Sequence, residues 1–118
     1  MKKDPKIFIE HILESILKIE SFSKGLTREN FFKDELRQSA VIRQLEIIGE
    51  AAKNIPESFR IKYSIIEWKK IAGTRDKLSH GYFGVDLSTV WDVIKDDLPE
   101  LKKNIEKILK DYNKWVIF

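Results

Sequence analysis

The segment Gly73–Tyr82 contains the side chains whose types and spacing could perform chemistry, namely Arg75, Asp76, His80 and Tyr82. Histidine titrates near neutral pH, so His80 could take a proton from a ribose 2′-hydroxyl or return one to a leaving oxygen. Arginine stays charged, and its planar fork of donors could hold a phosphate as negative charge accumulates in the transition state. Arg75 and His80 are therefore a pair suited to cleaving RNA without a metal ion.

The spacing within this segment constrains how such a pair could work. Asp76 precedes His80 by four residues, which on a helix places the carboxylate where it could orient the imidazole and favour its protonated form. Arg75 and His80 differ by five positions, or about 140° around an ideal helix. The two groups can meet only if the helix ends at His80 or if a second subunit completes the site. We favour a two-fold dimer.

Other readings of the segment remain open. The spacing also fits an ion-paired helix end with a capping imidazole, and Tyr82 also fits a half-buried core aromatic.

Metal and cofactor sites are not expected, because the chain has two widely separated histidines and no cysteine. Ser79 lacks a nucleophile elbow, and no glycine-rich phosphate loop is present.

Composition predicts one soluble domain over residues 1–118, with 42% hydrophobic and 35% charged residues. Charged residues interrupt every apolar run, so neither a signal peptide nor a membrane span is expected, and the predicted location is cytoplasmic. A net charge of +3 permits contact with nucleic acid or an acidic partner but is too small to indicate one.

Apolar spacing predicts an all-α fold, an antiparallel bundle of four to five helices. The first helix is expected over about 5–22, with Asp4 as N-cap and Ile9, Ile12, Leu13, Ile16 and Leu17 on its apolar face. After it we expect a short turn following Thr27 and a helix over about 34–53. These are followed by a connector over 56–64 with at most one helical turn, and then by a helix from about residue 65 to Gly81 or Gly84. A last helix, capped by Asp86 or Ser88, should kink or restart at Pro99.

Arg43, Glu46 and Glu50 lie at three- and four-residue spacing in the helix over 34–53. This pattern is typical of a solvated face with intrahelical ion pairs, which we prefer to a catalytic carboxylate pair.

The pattern Arg75-x-x-x-x-His80-x-Tyr82 resembles the signature of HepT-like proteins, the toxin half of HEPN and minimal nucleotidyltransferase toxin–antitoxin systems. The similarity covers about residues 5–112. It includes the blocks Ala40–Lys53 and Trp68–Gly73, and it continues downstream through Val85-Asp86, Val90–Ile94 and Leu98–Leu101. Many members have asparagine directly after the motif arginine, where this chain has Asp76.

The resemblance implies a HEPN-like helical bundle that dimerises with the two motifs facing one another across a cleft. It implies metal-independent endoribonuclease activity, with Arg75 and His80 as the catalytic pair. It also implies a minimal nucleotidyltransferase antitoxin that adds AMP to Tyr82, obstructs the cleft and so neutralises the toxin, with a higher oligomer of toxin and antitoxin as one arrangement.

Three hypotheses follow from the sequence. In the first, the protein is a ribonuclease toxin with RNA as substrate, in which Asp76 positions His80. In the second, it is a non-catalytic nucleotide- or RNA-binding subunit that presents Tyr82 to a nucleotidyltransferase. In the third, it is a helical dimer without an active site.

Overall fold

The computed structural model describes residues 4–80 and 86–116, with side chains described for residues 4–74 and 86–112. These ranges form seven α-helices and one π-helical segment, and they contain no strand. The elements are α1 (Pro5–Ser23), α2 (Arg28–Lys33), α3 (Glu35–Lys53), α4 (Glu57–Lys62), α5 (Trp68–His80), α6 (Leu87–Asp92), the π segment (Val93–Asp97) and α7 (Leu98–Val116). The predicted all-α fold is confirmed.

The first helix begins as predicted, because the Asp4 carboxylate accepts a hydrogen bond from the Lys6 amide at 2.9 Å and Pro5 occupies the first turn. Its core face differs from the prediction. Leu17 is 47% exposed, whereas Ile19 is fully buried. Ile9, Ile12, Ile16 and Ile19 form the fully buried stripe of α1, and the partly buried Leu13 packs beside it.

The central helix is α3, which packs against both α1 and α5. Asp34 caps it by accepting a hydrogen bond from the Arg37 amide at 3.0 Å. Val41, Leu45 and Ile48 are buried along its length, and near its end Ala51 and Ala52 let neighbouring helices approach closely. The predicted bounds of 34–53 are confirmed to within one residue.

Two contacts between α1 and α7 show that these helices run antiparallel. Lys102 pairs with Glu20 at 3.0 Å, and the Tyr112 hydroxyl donates to the Asp4 carboxylate at 2.7 Å. Residue numbers thus rise along α7 as they fall along α1. The connector before α5 is more helical than predicted, since α4 contains six residues rather than one turn.

The predicted restart at Pro99 takes the form of the π segment. The Leu98 amide donates to the carbonyl of Val93, five residues earlier, which is the hydrogen bond of a π-helix. Pro99 has no amide hydrogen, and its ring crowds the carbonyl four residues before it. Widening the helix by one residue accommodates the ring while α6, the π segment and α7 remain one helical run.

A tyrosine joins the connector before α5 to α7. The Tyr63 hydroxyl donates to the Asp111 carboxylate at 2.5 Å, across 48 positions of sequence. Burial raises the pKa of Tyr63 to about 12, and the hydrogen bond to Asp111 and the negative charge of that carboxylate act in the same direction. The neutral phenol is therefore the form that stabilises the fold.

This raised pKa predicts an alkaline loss of stability. An unfolded tyrosine ionises near pH 10, so the stabilisation from Tyr63 is complete below that pH and declines as the pH rises towards about 12. We expect Tyr63→Phe to be less stable than wild type at neutral pH but to lose less stability above pH 10. Urea unfolding followed by circular dichroism from about pH 8 to about pH 11.5 measures this. Asp111→Asn, which keeps an acceptor but removes the charge, is the companion variant. Parallel pH profiles for wild type and Tyr63→Phe would contradict the assignment.

Candidate functional site

The helix α5 carries three of the four predicted site residues in its backbone, namely Arg75, Asp76 and His80. Their side chains lie outside the part of the chain that the structure describes, and Tyr82 lies wholly outside it. The predicted convergence of Arg75 and His80 therefore stays a prediction. What the structure does describe is how α5 is held, what surrounds it, and which face each position occupies.

An aromatic cluster fixes the start of α5. Trp68 is buried, and its indole nitrogen donates to the carbonyl of Tyr63 at 3.1 Å. The Phe59 ring packs between these two residues, with centroids 4.7 Å from Tyr63 and 6.4 Å from Trp68. Because Tyr63 also binds Asp111, the beginning of the motif helix is tied to α4 and α7 together. The recurrence of aromatics at positions 59, 63 and 68 was the available sequence signal for this cluster.

A second set of contacts fixes the chain where it resumes after the motif. Asp86 caps α6 by accepting hydrogen bonds from the amides of Ser88 at 2.9 Å and Thr89 at 3.4 Å. Its pKa is lowered, chiefly by the hydrogen bond from the Thr89 hydroxyl, then by those two amides and by the charge of Arg28. This confirms Asp86, rather than Ser88, as the cap.

Arg28 of α2 connects this cap to the rest of the fold. Its guanidinium donates to the Ser88 hydroxyl at 2.5 Å and lies over the Phe32 ring, 5.2 Å from the centroid. One residue earlier, the buried Phe31 ring lies 5.5 Å from that of Trp91 in α6. The short helix α2 thus holds the start of α6, and the motif is anchored on both sides.

Helical register assigns the positions of α5 to different faces. Trp68, Ile71 and Ala72 pack on the core, and at about 100° per residue position 75 falls in the middle of that stripe. Gly73 lies on another face. A Cβ added there would meet no described heavy atom within 4 Å. Positions 76 and 80 lie within about 60° of Gly73, so they share its open face.

A groove of about 220 Å³ borders the third face of α5, at Thr74 and Lys70. Its floor is apolar and includes Leu45, Ile48, Ile71 and Leu98. Glu67, Asp97 and Glu100 also line it and are exposed, and among the described side chains Lys70 pairs with Glu67, at 3.7 Å. Because the remaining carboxylates repel phosphates, this groove is a poor site for RNA.

On the polar face of α3, the structure shows one of the intrahelical ion pairs that the sequence predicts. Arg43 and Glu46 form an ion pair at 3.7 Å, with the Arg43 side chain 69% exposed. At such exposure the pair contributes little stability. His11 is exposed on α1.

Among residues 4–74 and 86–112, no group of three histidine, aspartate or glutamate side chains is placed to hold a metal ion. Within the described helices, none combines the length and apolar character needed to cross a bilayer.

Comparison with known proteins gives consistent results. A family model described as ribonuclease HepT-like matches residues 12–108. The chain is 47% identical over 110 residues to the probable ribonuclease HepT of Thermococcus cleftensis, covering 93% of this chain and all of that relative. It is 49% identical over 110 residues to a candidate RNase of Methanocaldococcus jannaschii, covering 93% and 91% of the two chains.

A further relative is longer than this chain. It is a Methanocaldococcus jannaschii protein whose name pairs a gamma-glutamylcyclotransferase with a candidate RNase, 52% identical over 114 residues. The match covers 97% of this chain but only 51% of the relative, so the chain spans about half the length of that protein. No solved structure matches significantly.

Proposed function

This chain belongs to the HepT-like ribonuclease family. We propose that it is an endoribonuclease that cleaves RNA without a metal ion and that uses Arg75 and His80 as its catalytic residues. The observation that carries the proposal is the family match over residues 12–108, which includes both residues. The described geometry supports it, because α5 holds both positions and is anchored on both sides.

The proposed reaction uses the 2′-hydroxyl of RNA as the nucleophile. His80 takes the 2′-hydroxyl proton and the 2′-oxygen attacks the adjacent phosphorus. The resulting imidazolium then returns this proton to the 5′-oxygen as the bond between phosphorus and that oxygen breaks. Arg75 binds the non-bridging oxygens, where negative charge grows in the phosphorane transition state. The products are a 2′,3′-cyclic phosphate and a free 5′-hydroxyl.

Asp76 has the role of a positioning residue. It lies one helical turn before His80, so its carboxylate can hold the imidazole ring and stabilise the imidazolium formed in the first step. Both positions lie on the open face of α5 shared with Gly73, opposite the acid-rimmed groove. RNA can approach this face without passing those rim carboxylates.

The separation of the two catalytic positions leads us to propose a dimer in preference to a site formed where α5 ends at His80. Since α5 is helical through His80, positions 75 and 80 point about 140° apart from one helix. A two-fold axis beside α5 would place Arg75 of one subunit near His80 of the other. The proposed cleft therefore lies between two copies of the chain.

The catalytic assignment predicts that substitution of His80 abolishes cleavage, whereas substitution of His11 does not. We expect purified wild type to cleave single-stranded RNA equally well with and without EDTA, and His80→Ala to lose at least about 100-fold in kcat, the scale of general acid–base catalysis. Arg75→Ala should lose a similar factor. A gel assay with end-labelled RNA measures this, and cyclic-phosphate ends identify the 2′-hydroxyl route. The sequence has one other histidine, His11, and His11→Ala should cleave RNA like wild type. Equal cleavage by His80→Ala and wild type would refute the assignment.

The dimeric site predicts complementation between two inactive variants. When Arg75→Ala and His80→Ala are mixed and allowed to exchange subunits, half of the dimers contain one of each chain. Each mixed dimer has one site with both residues intact, so about a quarter of wild-type activity should return. Size-exclusion chromatography with light scattering establishes the dimer beforehand. If the mixture stays inactive although exchange is shown by mass spectrometry, the site is not shared in this way.

We further propose that the chain is the toxin of a type II toxin–antitoxin system, neutralised when a minimal nucleotidyltransferase adds AMP to Tyr82. The support is the family match together with a phenol two residues after His80. An adenylate there would add bulk and negative charge beside a site that binds phosphate, and both would exclude RNA.

This regulation predicts a mass change. Coexpression with a nucleotidyltransferase from a neighbouring reading frame should add about 329 Da per AMP to the wild-type chain and abolish its cleavage. Tyr82→Phe should show neither effect, whereas Tyr112→Phe, a matched control on α7, should show both. If the modified and unmodified proteins are equally inactive on RNA, the chain is instead a non-catalytic partner of the transferase.

A further inference from the structure

The groove that borders α5 at Lys70 and Thr74 has no part in the proposed function. Its volume of about 220 Å³ lies below the range of about 300–1,000 Å³ that is typical of small-molecule sites. Its floor includes Leu45, Ile48 and Leu98, so polar ligands would find few partners there. The space suits a few apolar side chains that belong to another molecule.

An exposed isoleucine adds apolar surface to this groove. Ile65 lines the groove and is 66% exposed, whereas Ile66, the next residue, is only 4% exposed. Val93 and Leu101 line the groove as well and are partly buried. Apolar surface that is left in contact with water and bordered by charged groups is typical of a site at which another protein binds.

The charged residues of the groove are mostly acidic. Glu67, Asp97 and Glu100 are exposed, and Lys70 is the one basic residue among the described side chains that line the groove. Lys70 pairs with Glu67, but no ion pair among the described side chains neutralises Asp97 or Glu100. The groove is therefore negative in a chain whose net charge is +3. A surface of this sign attracts a basic partner and repels RNA.

We propose that this groove is the docking site for a basic, amphipathic segment of a partner protein. Apolar side chains of the segment would lie on the floor, and its lysine or arginine side chains would pair with Asp97 and Glu100. An amphipathic helix meets both requirements, because its apolar face can enter a groove while basic residues flank that face. Neither requirement depends on the proposed ribonuclease activity.

The groove and the proposed active site lie on different faces of one helix. Lys70 and Thr74 border the groove, whereas Gly73 lies on the open face that positions 76 and 80 share. We place RNA and the second copy of the chain at that open face. The groove thus stays accessible to a different protein.

Fluorescence anisotropy with labelled peptides tests the chemistry of this site on the full chain. The probe is a helical peptide of about 18 residues, with leucine along one face and lysine at the remaining positions. The control peptide carries glutamate in place of each lysine. We expect the lysine peptide to bind with a Kd on the order of 10 μM, and the glutamate peptide to bind at least about tenfold more weakly. Added NaCl should weaken the binding, because salt screens the attraction between exposed charges.

Substitutions at the groove test whether the peptide binds there. Asp97→Lys reverses a charge, and Ile65→Ser removes exposed apolar surface, so each should raise the Kd of the lysine peptide by at least about fivefold. Asp96→Lys and Leu36→Ser are the matched controls, because Asp96 and Leu36 are exposed but do not line the groove. Each control should keep the Kd within about twofold of wild type. Circular dichroism verifies that all four variants fold.

Several outcomes would overturn the proposal. These are no binding of the lysine peptide at about 100 μM, equal binding of the two peptides, or equal effects of Asp97→Lys and Asp96→Lys. Displacement of the peptide by single-stranded RNA would identify RNA as the occupant instead. A dimer that Asp97→Lys dissociates, seen by light scattering, would identify a second copy of the chain.

Cleavage assays separate this inference from the proposed function. We expect Asp97→Lys and Ile65→Ser to cleave RNA like wild type, because the groove and the proposed active site lie on different faces of α5. A protein that binds the lysine peptide in the groove but cleaves no RNA would uphold the docking site and refute the ribonuclease proposal. A protein that cleaves RNA but binds neither peptide would do the reverse.

Discussion

The packing of α3 between α1 and α5 is the interaction on which the rest of this fold depends. Each of these two helices buries its apolar stripe mainly against α3. Near the end of α3, the buried residues Gly49, Ala51 and Ala52 have small side chains or none, so helices on both sides can approach closely. Larger side chains fill the space between the helices elsewhere along α3, namely Val41, Leu45 and Ile48. Because the interior is close-packed, a shift of α3 would displace the motif helix directly. The backbone of Arg75, Asp76 and His80 is thus carried by a helix that packs against the central helix of the bundle.

The contacts at the two ends of the motif complement this packing. At its start, Trp68 and Tyr63 bring together three helices through one indole hydrogen bond and one phenol hydrogen bond. At its far side, Arg28 and Asp86 hold the beginning of α6 through polar contacts on the protein surface. The hydrogen bonds of the first set are partly buried and those of the second are exposed, so the first set contributes rigidity more effectively. A site that must place a proton-transfer group within a fraction of an ångström benefits from such fixed supports.

Sequence was sufficient for the features that local chemistry determines. The helix cap at Asp4 and a break in the helix near Pro99 follow from side-chain type, and the structure agrees at both. Side-chain type left Asp86 and Ser88 open as the cap of α6, and the structure shows that Asp86 is the cap. Sequence failed where the answer depended on a neighbouring element. The choice of Ile19 over Leu17 depends on where α1 meets its neighbours, which periodicity leaves undetermined. The Tyr63–Asp111 contact spans 48 positions and the Arg28–Ser88 contact spans 60, so no local sequence pattern predicts either contact. For the site, residue types suggested a chemistry, but whether Arg75 and His80 meet stays a prediction, which depends on helix register and, in the proposed dimer, on a second subunit.

Gly73 connects this fold to its proposed chemistry. In the interior of a helix, glycine costs about 1 kcal/mol relative to alanine. No described atom would obstruct a Cβ at this position, so packing within the described chain does not require glycine there. Gly73 therefore leaves space on the open face that the described chain does not fill, and in the proposed function this space admits a second α5 or the backbone of an RNA strand. Positions 76 and 80 share this face, one turn and two turns further along the helix. Close approach to α5 at Gly73 would therefore bring an RNA phosphate or a partner helix to the place where the proposed proton transfer occurs.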